Sequence, residues 1–338
     1  MPARPTVDAP PRPREIQLEV TAACNLRCRM CLVRYRPPVN RVAGSMSFET
    51  FRTVVDDLPE LERVTLQGLG EPLLNPDLVA MVRYASARGI RVGFNTNGLL
   101  LTPERAEDLV AAGVDWLHVS VDGARRDTYA YIRGRDERER VARNVASLVA
   151  VKRRLGMDRP RLSIVFVAMR ENFDELPDLV RDTAAWGVPT LRVQNLAHDF
   201  SDTDPDGDYA AIRAFTSSQA LWAGDAHVRD TFDEARAVAE IVGVDLRLPE
   251  VEEPPAPRAE GTPGCGWPWT SAYLTHDARV QPCCMVMGAD RAVLGEVHGP
   301  GGFERVWRSA PYDEFRAALL GDTPPEVCRG CSMYRGVF

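Results

Sequence analysis

Cys24-Asn25-Leu26-Arg27-Cys28-Arg29-Met30-Cys31 follows closely on the aliphatic run Ile16–Val20. The spacing is CxxxCxxC, and a loop this tight aims three thiolates at one point. Four protein donors would close a tetrahedral zinc site or a fully ligated cluster. No fourth Cys or His stands nearby, so one metal position stays free. An open position means chemistry rather than scaffolding. The competing reading is a zinc completed by a distant histidine; the chain has 5, all far along it and none beside a cysteine.

Around this loop the pattern alternates short aliphatic or β-branched runs with amphipathic stretches of ten or more residues, the mark of parallel strands joined by helices. Strands are expected near Ile16–Val20, Val64–Leu66, Val92–Asn95, Trp116–Val121, Leu162–Val167 and Leu191–Gln194. Helices fit Ser47–Leu58, Asp77–Arg88, Thr102–Ala112, Arg138–Arg154 and Asp174–Trp186, with Ser47 as a cap and Gly89 and Gly113 as stops. The fold class is therefore α/β: a partial (βα)6 TIM-like barrel over residues 15–196, with chemistry at the carboxyl ends of its strands.

Residues 1–14 are Pro- and Arg-rich and read as a disordered start. Residues 197–263 read as a helical connection and linker. They hold an acidic stretch (Asp199, Asp202, Asp204, Asp206, Asp208), two helices near Tyr209–Trp222 and Phe232–Val242, and a Pro-rich segment at 249–258. A small cysteine-rich domain fills 264–338, with a hairpin near Tyr273–Val280 and a helix near Tyr312–Leu320. The 338 residues are 45% hydrophobic and 26% charged, ordinary globular values. Lys plus Arg at 41 against Asp plus Glu at 48 gives −7, which argues against a nucleic-acid or membrane partner. No apolar run is long enough to span a bilayer or export the chain, so a cytoplasmic protein is expected, and its 8 cysteines point to metal or redox chemistry rather than disulfides.

Five of those cysteines lie near the carboxyl end: Cys265, Cys283, Cys284, Cys328 and Cys331. Four of them suffice for one cluster or one structural zinc, and spacing alone does not choose. Alone, Gly68-Leu69-Gly70-Glu71-Pro72 after the second strand, Thr96-Asn97-Gly98 after the third and Ser120-Val121-Asp122-Gly123 at the end of the fourth would each pass as turns.

Taken together and in this order, the cysteine loop and these three elements resemble the radical S-adenosylmethionine (SAM) superfamily, over about Glu15–Asn195. The resemblance implies that Cys24, Cys28 and Cys31 hold a [4Fe–4S] cube whose fourth iron is chelated by S-adenosylmethionine. Its reduction would then yield a 5′-deoxyadenosyl radical. It implies cofactor contacts at Gly70, Glu71, Asn97, Ser120, Asp122 and Gln194, and a flavodoxin- or ferredoxin-type reductant. Leu69 departs from the glycine frequent there. Cys265-Gly266-Trp267-Pro268-Trp269, Gln281-Pro282-Cys283-Cys284, Leu294-Gly295, Val306-Trp307-Arg308 and Cys328xxCys331 are similar to the SPASM/twitch extension of the same enzymes. On that resemblance Cys265, Cys283, Cys328 and Cys331 ligate an auxiliary [4Fe–4S] cluster, and Cys284 is left over.

A fully ligated auxiliary cluster suits electron transfer. The leading expectation is an oxidoreductase that takes hydrogen from a carbinol carbon of a small-molecule substrate, a sugar or aminocyclitol, and leaves a ketone. The lean toward a small substrate rests on the absence of an amino-terminal domain that would capture a leader peptide. Gln194, Asn195, His198, Arg133 and Arg192 are expected around that substrate, and the acidic stretch to recognise its amino groups. The alternatives are an epimerase with Cys284 as hydrogen donor, against an inert packing role for that thiol, and a peptide-modifying maturase. A non-catalytic zinc or iron–sulfur module would explain the cysteines but not the glycine-rich elements at successive strand ends.

Overall fold

The computed structural model describes residues 10–35, 44–196, 198–221, 224–249, 265–286, 288 and 290–335. Ten strands make one sheet: β1 (Glu15–Leu18), β2 (Arg63–Leu66), β3 (Arg91–Thr96), β4 (Trp116–Ser120), β5 (Arg161–Val167), β6 (Thr190–Gln194), β7 (Asp245–Arg247), β8 (Ser271–Leu274), β9 (Arg279–Gln281) and β10 (Gly295–Glu296). Their order is β10-β9-β8-β1-β2-β3-β4-β5-β6-β7. All pairs from β8 through β7 are parallel, and β9 and β10 add an antiparallel edge. The six strands expected from the sequence form in chain order. Two short ones, β7 and β8, extend the parallel set to eight, and β7 and β8 are not paired with each other. The barrel is open.

Local chemistry sets the helix limits. The Ser47 hydroxyl accepts from Thr50 N (3.1 Å) at the start of Phe48–Asp56. Thr102 caps Pro103–Ala112, and that helix ends at Gly113, whose φ of 87° is open to glycine without strain. The connection carries helices Ala210–Gln219 and Ala226–Val242, and the cysteine-rich segment carries Ala310–Leu320. A helix at Arg126–Arg133 carries no expectation from periodicity; it is only 8 residues long.

One boundary shifts, and one segment packs more closely than its composition suggests. Trp307 Nε1 donates to Pro11 O (3.2 Å) and Arg12 pairs with Glu304 (2.8 Å), so the chain is already anchored from Pro10 rather than from residue 15. The cysteine-rich segment also does not stand apart. Its strand β8 joins β1 in register Glu15↔Ser271 to Leu18↔Leu274, and its Phe303, Trp307 and Tyr312 belong to the same buried cluster as the barrel residues Leu18 and Phe94. Apart from Pro249, the Pro-rich segment at 249–258 lies outside the described residues.

Candidate active site

Side chains alternate along each strand. On β1, Leu18 is fully buried away from the interior, which Glu15, Gln17 and, just past the strand, Glu19 line; on β4, Leu117 and Val119 are buried away from it, and Trp116, His118 and Ser120 face it. The interior is a cavity of about 520 Å³ lined by both polar and apolar side chains rather than the layered aliphatic filling of a closed eight-stranded barrel. At its amino-terminal end the Trp116 indole lies over Gly93, where a Cβ would come within 2.3 Å of the ring. Met30, Cys31 and Leu69 border the cavity, as do Tyr273, Cys284 and Met285.

The cysteine loop is held from below by the glycine-rich element. Glu71 N donates to Ala23 O (2.8 Å), and a Cβ on Gly70 would lie 2.1 Å from Thr21 O and 2.5 Å from Ala23 O, so only glycine permits that approach. The Glu71 carboxylate is buried and already engaged. It accepts from Thr96 Oγ1 (2.7 Å), Asn97 N (2.7 Å) and Leu73 N (3.2 Å), and Asn97 Nδ2 reaches Asn25 Oδ1 in the cysteine loop (2.7 Å). Gly70, Glu71 and Asn97 thus brace the loop. Ser120 and Gln194 open onto the cavity.

Burial raises the Cys24 thiol and pushes Cys31 up to about 12, with the neighbouring thiols adding to the effect; burial also raises Cys28, against the opposing pull of Arg133. Such a loop gives up its protons only when metal charge replaces them. Among the described residues no three Cys, His, Asp or Glu side chains converge tightly enough for a single metal ion. A four-iron cube presents separate corners and takes sulfurs that stand apart. Three soft donors, no fourth and a glycine-only approach beside them fit a cluster with one open iron.

Asp122 and Arg133 depart from expectation. Asp122 is fully buried, accepts from Val167 N (2.9 Å) and contacts Arg133 Nη2 at 2.6 Å. Arg133, 6% exposed, is therefore not a substrate-pocket residue; its other terminal nitrogen, Nη1, donates to Cys28 Sγ (3.7 Å). His198 borders the cavity, and both its ring nitrogens are engaged: Nε2 donates to Val327 O (2.8 Å) and Nδ1 accepts from Phe200 N (2.9 Å), which ties the Cys328–Cys331 turn to the barrel. The acidic stretch also works internally. Asp199 pairs with Arg335 and Asp202 with the buried Arg291. Asn195 borders the cavity, whereas Arg192 lies lower on β6, near Arg63 and Arg247.

Four carboxyl-terminal cysteines, Cys265, Cys283, Cys328 and Cys331, line one small void of about 20 Å³ with Trp267, Phe315 and Leu319. Burial, then the neighbouring thiols, raises Cys283 well above its ordinary value and pushes Cys328 up to about 12. Cys284 instead borders the central cavity, and burial pushes it up to about 12.

Sequence reasoning missed a cluster on the cavity wall. Glu19, 3% exposed, accepts from Leu69 N (2.9 Å) and Tyr273 Oη (3.0 Å) through Oε2, while Oε1 meets His276 Nδ1 at 3.0 Å. The signal was present as polar residues at 15, 17 and 19 along one strand face. His118 was also missed. Its Nδ1–H donates to Asn95 Oδ1 (3.1 Å), and burial, then Arg192, Arg63 and Arg247, lowers it to about 4. A folded value below the ordinary 6.5 means that stability is complete above pH 6.5 and is lost as pH falls toward 4. That loss is worth roughly 3 kcal/mol. Thermal unfolding between pH 7 and pH 4 should show a shallower acid loss in His118→Gln than in the parent; equal slopes would refute it.

Comparison with known proteins bears on this geometry. The model of the radical SAM superfamily matches residues 18–183, and that of the SPASM iron–sulfur cluster-binding domain matches 265–332. The chain belongs to the radical SAM superfamily. This radical SAM protein accordingly takes a [4Fe–4S] cluster with S-adenosylmethionine, and its SPASM domain takes an auxiliary iron–sulfur cluster. It is 33% identical over 184 residues to the tungsten-containing aldehyde ferredoxin oxidoreductase cofactor-modifying protein of Pyrococcus furiosus, covering 54% of this chain and 51% of that one. It is 27% identical over 317 residues to mycofactocin maturase MftC of Mycobacterium ulcerans, covering 94% and 79%. It spans about half the length of the first of these relatives. Streptococcus suis SuiB bound to precursor peptide SuiA shares the fold at a TM-score of 0.68 and 14% identity, over 96% of this chain and 70% of that one. Among the described residues no helix is long and apolar enough to cross a membrane.

Proposed function

We propose that this chain is a radical SAM maturase that removes a hydrogen atom from a peptide and returns one from Cys284, inverting the reacting carbon. The sugar or aminocyclitol expectation finds no support among the relatives. The alignment with a maturase along 94% of the chain favours the peptide reading, as does the precursor peptide bound to a protein of the same fold. The observation that carries the reaction type is that Cys31 of the first cysteine loop and Cys284 border the same cavity.

With Cys24, Cys28 and Cys31 as ligands, the bound cluster and S-adenosylmethionine supply a 5′-deoxyadenosyl radical. The chain's own residues do the rest. Ser120 and Gln194 offer hydrogen bonds at the strand ends, Met30 and Leu69 keep water from the reacting carbon, and Tyr273 with Glu19 moves a proton at the cavity wall. Hydrogen return would leave a thiyl radical on Cys284; one electron from a low-potential donor of flavodoxin or ferredoxin type, through the auxiliary cluster that Cys265, Cys283, Cys328 and Cys331 would hold, and one proton by way of Tyr273 would restore the thiol.

The test is turnover in deuterated water with peptides encoded beside the gene. Hydrogen return from an exchangeable thiol leaves one deuterium on the product at unchanged connectivity. A product two hydrogens lighter and free of deuterium would overturn the reading in favour of dehydrogenation. Formation of 5′-deoxyadenosine with a hydroxylated small molecule and never with a peptide would overturn the substrate class.

A further inference from the structure

We propose that Arg133, pinned by Asp122, sets the reduction potential of the amino-terminal cluster by presenting a fixed positive charge and an N–H donor to the sulfur of Cys28. This rests on the reading of Cys28 as a cluster ligand.

Arg133 ends the helix Arg126–Arg133, and Gly134 turns the chain immediately after it in the left-handed region. The side chain runs inward and is 6% exposed. Nη2 lies 2.6 Å from Asp122 Oδ2, Nη1 donates to Cys28 Sγ at 3.7 Å, and the buried Nε has no hydrogen-bond partner among the described residues. Asp122 is itself immobilised. Val167 N donates to its Oδ1 (2.9 Å), and Asn172 Nδ2 holds its carbonyl oxygen (3.1 Å). The Asn172 amide also caps Met169 N (2.8 Å), so the anchor is built from the ends of β4 and β5.

A buried ion pair of this kind costs desolvation, and surrounding apolar groups of the same shape would stabilise the fold as well or better. Its orientation is what distinguishes it. The guanidinium end points at the cysteine loop and the carboxylate end points away, so the pair acts as an oriented dipole beside one ligand. Reduction adds an electron to the cluster and its thiolates. Hydrogen bonds to the sulfurs and nearby positive charge stabilise that added charge and raise the potential. The same contact orients the Cys28 sulfur toward the cluster, which makes Arg133 a positioning residue.

Two variants give opposite signs. Asp122→Asn removes the counter-charge and leaves the full guanidinium charge facing Cys28. The midpoint should rise. The double variant Asp122→Asn with Arg133→Met removes both charges without stranding either, and the midpoint should fall. The measurement is an EPR-monitored redox titration of anaerobically reconstituted protein, following only the signal that changes when S-adenosylmethionine is added. A roughly tenfold change in the oxidised-to-reduced ratio at fixed poise, or about 59 mV for one electron, is expected between the two variants, with the parent between them.

Iron content and thermal unfolding confirm that each variant is loaded and folded. Variants that are loaded and folded and titrate together with the parent overturn the role of Arg133. If Cys28→Ala keeps its full iron and its S-adenosylmethionine-responsive signal, the ligand assignment itself is what fails.

Discussion

Cys24→Ala is expected to cut the iron of anaerobically reconstituted protein from about eight to about four per chain, because it strips one cube and leaves the other. Cleavage of S-adenosylmethionine to 5′-deoxyadenosine should fall at least roughly a thousandfold, since no residual pathway supplies the radical. The fold should survive. Cys24 is partly exposed at the rim of a loop braced by Glu71, Gly70 and Asn97, and none of those braces uses its sulfur. A variant that retained all its iron and its cleavage activity would dismiss the first cysteine loop as the radical-generating site. A variant that lost all its iron would show that the two clusters load cooperatively through the shared sheet.

The second large effect separates two adjacent residues. Cys283→Ala should lose the auxiliary cluster, again about four irons. Cys284→Ala should keep the full complement and still cleave S-adenosylmethionine. It should nevertheless make no inverted product and instead accumulate the substrate radical or its quenched, uninverted form. The geometry is the ground for this split: Cys283 borders the small void shared with Cys265, Cys328 and Cys331, and Cys284 borders the central cavity. An unchanged product yield from Cys284→Ala would sink the hydrogen-donor role. Loss of iron from Cys284→Ala, with retention in Cys283→Ala, would exchange the two residues.

The alternation of aliphatic runs and amphipathic stretches was enough to place six parallel strands in order, and the glycines and capping hydroxyls were enough to end the helices near their observed limits. The cysteine spacing and the glycine-rich turns located the first loop for the same reason. Each is a local property, set by backbone freedom at Gly70 or by thiols a few bonds apart, and local properties are written in consecutive residues.

What escaped the sequence is the set of pairings that join distant residues. Arg133 read as a substrate contact and is in fact buried between Asp122 and Cys28, 105 residues back along the chain. Glu19 was an unremarked strand residue until β8 came alongside β1 and set Tyr273 and His276 against its two oxygens, 254 and 257 residues away. The cysteine-rich segment likewise looked separable, because nothing in its composition says that Ser271 pairs with Glu15. Closing such long loops costs chain entropy and is repaid only when the whole sheet and its main core assemble together. The linear chain therefore determined which residues could carry iron. Only the assembled sheet decided that Cys31 and Cys284 border one cavity, while Cys283 borders the void shared with Cys265, Cys328 and Cys331.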